Sequence, residues 1–253
     1  MTVHRSALRQ GLIATVVALA AACTTKPSDP VAPLPDIAAG QQQSAVAAVA
    51  PPATKSYSIE PANSNLQILV YRGGPMARLG HNHVVRATTL HGSIWRGPSG
   101  HSAGFDISVP VNDLEVDNDA DRSALGPDFP LNLSADAKRS TKVNMLREPL
   151  LDGAHYPEVK LRSVSVQDDK DTAVVVAAVR IKGRTRHVTV PVTLLQTDQL
   201  LRVQGGFEIK QTDFGLTPLS IAMGALLVQD TVHLRFSLVA TLDSSPNPNQ
   251  NPQ

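Results

Sequence analysis

The sequence predicts an all-β domain, an antiparallel barrel or sandwich with one short helix, from three observations. Long stretches alternate apolar and polar residues with the period of two that puts one face of a strand in a core and the other in water. Tight turns such as Lys182-Gly183-Arg184 separate the stretches. Almost nothing between them has the helical periodicity needed to cover a sheet face. A closed barrel removes exposed strand edges, and about eight strands would enclose an interior that is either packed or able to hold a small apolar ligand.

In chain order, strands are expected at 66–71, 90–95 and 105–111. The one helix follows: Ser134 caps its N-terminus, Asp136 sits in the first turn, and Lys138, Arg139, Lys142 and Arg147 crowd toward the end where the dipole favours cations. Strands resume at 159–166 and 172–181, then in the series Val188, Val190, Val192, Leu194 and again in Leu201, Val203, Phe207, Ile209. The last runs from Thr231 to Thr241, with Val232, Leu234, Phe236, Leu238 and Ala240 on one face.

Composition narrows the function classes. Across 253 residues, 23 lysines and arginines face 22 carboxylates, and the stretch 57–243 holds 19 of the former and 20 of the latter. That balance gives no electrostatic basis for a nucleic-acid partner. Five Phe, three Tyr and one Trp leave a mostly aliphatic interior. The single cysteine, Cys23, excludes an intramolecular disulfide, a Cys-rich zinc site and a CxxC redox pair.

The first 22 residues carry His4, Arg5 and Arg9, then an apolar run over 12–19, then Ala20-Ala21-Ala22 before Cys23, which is the order of a signal peptide. The run is shorter than the roughly 20 residues of a spanning helix, and no later window is long and apolar enough to be one. The segment resembles a bacterial lipoprotein leader, whose cysteine is lipidated and becomes the new N-terminus; an ordinary signal peptide with a chance cysteine is the alternative. Acyl chains, at about 0.8 kcal/mol per buried CH₂, would anchor such a protein without spanning the bilayer. Thr24 in place of aspartate implies, by the same resemblance, the outer membrane of a Gram-negative bacterium, facing the periplasm.

Residues 23–56 are rich in Pro, Ala, Gln and Ser and read as a disordered tether, and 244–253, with Pro246, Pro248 and Pro252, as a disordered tail. One domain, 57–243, remains between them.

Within it, Ile181-Lys182-Gly183-Arg184-Thr185-Arg186-His187-Val188-Thr189-Val190-Pro191-Val192 and Phe207-Glu208-Ile209-Lys210-Gln211-Thr212-Asp213-Phe214-Gly215-Leu216 resemble signatures of the YceI-like family. Supporting marks are Tyr57-Ser58-Ile59-Glu60-Pro61, Tyr156-Pro157-Glu158-Val159 and Val228-Gln229-Asp230-Thr231-Val232, so the resemblance covers nearly all of 57–240. It departs at Lys210-Gln211, where an arginine before Asp-Phe-Gly is usual, and at Gly80-His81-Asn82-His83. The resemblance implies a lipocalin-like antiparallel barrel around an elongated apolar pocket that binds a polyisoprenoid or related amphiphile, such as a quinone, without catalysis and without a catalytic cofactor.

Candidate residues follow. His81 and His83, two apart, would project to the same side of an extended chain and could chelate a metal with His91, Asp113 or another side chain completing the set. They could equally be hydrogen-bonding histidines at a turn, or contacts to a ligand head group. Asp117, Asp119, Asp121 and Asp128 have the spacing of a calcium loop, but Arg122 stands where its glycine belongs, so a solvated acidic loop is the expectation. Arg180, Lys182, Arg184 and Arg186 surround a hairpin turn and should point into water. The stretch from Leu219 to Val228 is nearly continuous apolar sequence, either buried core or a pocket-lining lid, with Met223 adaptable to a flexible chain. Leu219, Met223, Leu226, Phe207, Phe236, His81 and His83 are therefore the candidate ligand contacts.

No nucleophile elbow, Walker loop, dinucleotide fingerprint or HExxH is present. Three readings stand: a lipid-anchored envelope binder of an apolar lipid, a metal-dependent enzyme or carrier built on His81 and His83, and a structural envelope barrel with a filled core. Oligomeric state is not legible.

Overall fold

The computed structural model describes residues 54–97 and 102–244. The expected signal peptide, Cys23, the linker up to residue 53 and the tail from residue 245 lie outside these residues. Strands β1 (Lys55–Ile59), β2 (Asn65–Gly73), β3 (His83–Ala87), β4 (His91–Arg96), β5 (Gly104–Pro110) and β6 (Leu114–Val116) come first. Helices α1 (Asp119–Leu125) and α2 (Ala135–Met145) follow. The chain then adds β7 (Glu158–Asp169), β8 (Thr172–Ile181), β9 (Arg184–Gln196), β10 (Leu200–Lys210), β11 (Ser220–Ile221) and β12 (Leu226–Leu242).

Pairing is antiparallel throughout and closes a ring of eight strands in the order β1, β4, β5, β7, β8, β9, β10, β12, with β12 returning to β1. The remaining wall strands extend that ring. β2, β3 and β6 continue β1, β4 and β5 in the same direction, and β2 pairs with β12 and β3 while β3 pairs with β6. Three walls of the barrel are thus long strands interrupted once each, near residues 60–64, 88–90 and 111–113.

The alternation that predicted the strands sets what faces inward. In β8 the buried set is Ala173, Val175, Ala177, Val179 and Ile181, and in β9 it includes Val190, Val192 and Leu194. The β8–β9 turn is the one expected, with Lys182 at φ 46° and Gly183 at φ 76°. Two successive positive φ values match the twist of a two-residue hairpin, and glycine meets the second without a Cβ penalty.

One end of the barrel is closed. Met145 and Leu146 at the end of α2, with Leu150 and Leu151 beyond it, pack against the core, and Phe214 and Leu216 join them. Ser134 caps α2 as expected, its Oγ accepting from the Ala137 N–H at 3.2 Å.

Three expectations need correction. There are two helices among the described residues, not one, because α1 forms where a solvated acidic loop was expected; Asn118 caps it and Gly126 ends it at φ 81°. That segment is solvated only in part: Asp119 and Asp128 are exposed as expected, but Asp117 and Arg122 are completely buried and Asp121 nearly so, because they pair with one another and with strand residues. The apolar stretch from Leu219 is not buried either. Leu219 and Ile221 are about half exposed and Met223 fully so. β11 pairs with Leu226 and Leu227 at the start of β12, and positive φ at Ala222, Met223 and Gly224 throws the connecting tip outward.

Candidate functional site

The interior of the barrel contains a cavity of about 120 Å³ lined by 23 residues, 21 of which are apolar. Volume of this order holds one small ring or branched segment, since a cavity of about 150 Å³ accepts benzene. It is below the roughly 300–1,000 Å³ of sites enclosing drug-sized ligands, so a longer chain enters only as lining side chains move apart.

Two glycines shape its wall. Gly205 of β10 stands opposite Phe236 of β12, and a Cβ there would come within 2.8 Å of the Phe236 Cζ. Gly104 of β5 stands opposite Trp95, whose ring would lie 2.6 Å from a Cβ. In both pairs an aromatic ring covers a glycine across the ladder, which protects the exposed backbone and fixes the ring against the wall. Phe207 meets Phe236 edge to face, with ring centres 6.4 Å apart.

The two charged lining residues are Arg96 and Asp168, and they face each other. Arg96 donates from Nε and from Nη2 to the two Asp168 carboxylate oxygens, each at 2.8 Å, and from Nη1 to Gln196 Oε1. Gln196 Nε2 in turn donates to the Tyr57 hydroxyl at 2.9 Å. Burial raises the Tyr57 phenol above its usual range, against opposing pulls from Arg96 and the Gln196 hydrogen bond. Arg96, Asp168 and Gln196 come from the ends of β4, β7 and β9 and Tyr57 from the middle of β1, and together they run across the end opposite α2. They form a polar strap over the cavity mouth.

The strap was missed at the level of sequence, yet a signal was there. Arg96 stands two beyond inward Ile94, Asp168 two beyond Val166, and Gln196 two beyond Leu194. Each therefore continues an inward-facing series by one step, onto the barrel rim.

Of the candidate ligand contacts, Phe207 and Phe236 line the cavity, whereas Leu219, Met223, Leu226, His81 and His83 do not. Leu219 and Met223 belong to the outward tip described above. His83 is engaged at Nδ1 by Asp117 Oδ2 at 2.6 Å, and His81 is exposed beside it. Desolvation, then the neighbouring His83, Arg122 and Arg72, hold the His81 imidazole below its ordinary range. Among the described residues, no group of three or more His, Cys, Asp or Glu side chains converges to hold a metal ion.

Of the turn cations, Arg180 and Arg184 are exposed as expected, and the other two are less solvated. Arg186 is buried, and Lys182 reaches the Glu148 backbone carbonyl and, at 3.6 Å, its carboxylate. The two signature segments meet in space for a packing reason. Gly215 adopts φ 72°, and a Cβ on it would sit 2.7 Å from the Arg184 guanidinium carbon, while Phe214 plugs the closed end of the core.

A closed eight-stranded antiparallel barrel with an apolar interior and a helical plug is of the lipocalin-like class. Residues 57–240 match the model of the YceI-like domain, and the chain belongs to that family. Among solved structures it is similar to BcnA of Burkholderia cenocepacia, at 18% identity and a TM-score of 0.55, over 72% of this chain and 99% of that one. A YCEI protein of Campylobacter jejuni is also similar, at 10% identity and a TM-score of 0.46, over 63% of this chain and 85% of that one. No curated protein matches the sequence. Among the described residues no helix is long and apolar enough to cross a membrane.

Proposed function

We propose that this protein binds the apolar chain of a polyisoprenoid, such as a quinone tail, or of a similar amphiphilic lipid inside its barrel, and carries or sequesters it without chemically changing it. The cavity supports this reading: 21 of its 23 lining residues are apolar, and its one ion pair sits at the mouth. Removing apolar ligand surface from water contributes roughly 25 cal/mol per Å², so an aliphatic wall supplies affinity with few polar contacts. Phe207 and Phe236 would be the inner contacts. The lipoprotein-like leader ending at Cys23 supports attachment to an envelope membrane, at the outer membrane facing the periplasm, as part of the same proposal.

The test is solvent extraction and mass spectrometry of lipids that copurify with the full chain, comparing wild type with Ala177→Phe. Ala177 is buried in the cavity wall, so the added ring would occupy the ligand's space. The expected result is a stoichiometric prenyl or acyl lipid on the wild type and its loss from a folded Ala177→Phe protein. Equal lipid on both, or none on either, would remove the barrel interior as the binding site.

A further inference from the structure

We propose that the cavity selects amphiphiles with an uncharged head group, such as a prenyl alcohol or quinone, over the same chain carrying a phosphate. This rests on the lipid-binding reading and adds what the head group must be.

Two independent observations lead to it. The first is the state of the only cation in the cavity lining. A guanidinium at the mouth of an apolar cavity would ordinarily recognise phosphate, for which its planar fork is well matched. Here the fork is already closed by the two Asp168 oxygens, and Nη1 is directed to Gln196. An arriving phosphate would have to displace a carboxylate from a bidentate pair in which Asp168 is 7% exposed. Displaced, that carboxylate would face the phosphate across a low-dielectric opening, where like charges repel strongly.

The second observation is the charge of the rim. The turns and strand ends around this mouth carry exposed Asp169, Asp171, Asp198 and Asp243, against Lys55 and Lys170. With Arg96 and Asp168 cancelling, the described rim is net negative, and it would repel an anionic head group before contact. An uncharged hydroxyl or carbonyl meets neither penalty and can hydrogen-bond within the strap.

The experiment uses farnesol and farnesyl phosphate, which share one chain, with the full protein. Trp95 is the only tryptophan in the sequence and lines the cavity, so its fluorescence reads occupancy directly. Farnesol is expected to bind about tenfold or more tightly at low salt, with the gap shrinking as salt screens the rim. Asp168→Asn, which frees the Arg96 fork, is expected to close or invert the gap. Should that variant not fold, Asp169→Asn with Asp171→Asn, both on an exposed turn, is expected to narrow it by several-fold. Equal affinities, tighter phosphate binding by wild type, or a gap unmoved in folded variants would overturn the proposal while leaving lipid binding intact. Failure of both probes to bind would overturn both readings together.

Discussion

The Asp117 carboxylate is shared between two partners: Arg122 Nη1 donates to Oδ1 at 2.5 Å, and His83 Nδ1 lies 2.6 Å from Oδ2. Arg122 and Asp117 are both wholly buried, and Arg122 also donates to the backbone carbonyls of Asn82 and Pro130. Asp117 further accepts from the Val84 N–H at 3.0 Å. The pair therefore ties α1 and the following loop to strand β3.

Removing either partner leaves the other as an uncompensated buried charge. Arg122→Ala and Asp117→Ala are each expected to cost about 3–5 kcal/mol in urea unfolding, and the double change less than the sum of the two. Strictly additive losses would show that the two residues do not stabilise the fold as a pair.

The same carboxylate predicts an acid limb in stability. Burial pushes the Asp117 carboxyl up, but the His83 hydrogen bond and charge, the Val84 amide and Arg122 together hold it below its ordinary range. A depressed carboxylate contributes stability that is complete above the unfolded value of about 3.9 and is lost as pH falls through the lower folded value. Wild type is thus expected to lose stability steeply below about pH 4, and Asp117→Asn to show a shallower slope over that window. Parallel slopes in the two proteins would contradict this assignment.

Gly205→Ala tests the wall of the cavity. The new methyl would meet Phe236 Cζ at 2.8 Å, the Pro191 carbonyl oxygen at 3.0 Å and Val192 Cγ1 at 3.1 Å. Because one contact is backbone, the change is expected to cost about 1–3 kcal/mol and to drive the Phe236 ring toward the cavity. Thermal unfolding gives the first quantity, and farnesol affinity, weakened, gives the second.

Ser134→Ala serves as the contrasting case. Losing the cap of α2 is expected to cost about 1 kcal/mol, with farnesol affinity unchanged because Ser134 lies at the closed end and lines no part of the cavity. A matching loss of affinity would mean that the plug and the mouth are coupled.

Much of the barrel was legible from period-two alternation, because burial of one strand face leaves the pattern directly in β8, β9, β10 and β12. The capped helix α2 was legible for the same reason, its start and charges being local. What failed to show was set by tertiary pairing. Charged residues are seldom fully buried unless paired, so Asp117, Asp121 and Arg122 read as solvent-facing, and nothing local reveals a partner such as Gln67, 54 residues from Asp121. The short strands β3 and β6 had too few residues for a period to emerge. The apolar stretch from Leu219 misled in the opposite direction: only Leu226, Leu227 and Val228 enter the long β12 strand, and the tip before them faces water. At the cavity, Phe207 and Phe236 were found because they lie within alternating series. Arg96, Asp168 and Gln196 were passed over because a polar residue at a strand's end looks like the start of a turn.

Lys55 opens β1 beside Arg96, and Leu242 ends β12 beside Tyr57, so the described chain enters and leaves the barrel on the same side as the strap. Attachment through either terminus therefore orients the molecule. A tag, a fused domain or an immobilising surface joined at residue 54 or 244 crowds the entrance and leaves α2 facing outward. A reporter intended to leave access clear belongs at the opposite pole, at exposed Leu131 and Asn132 between α1 and α2.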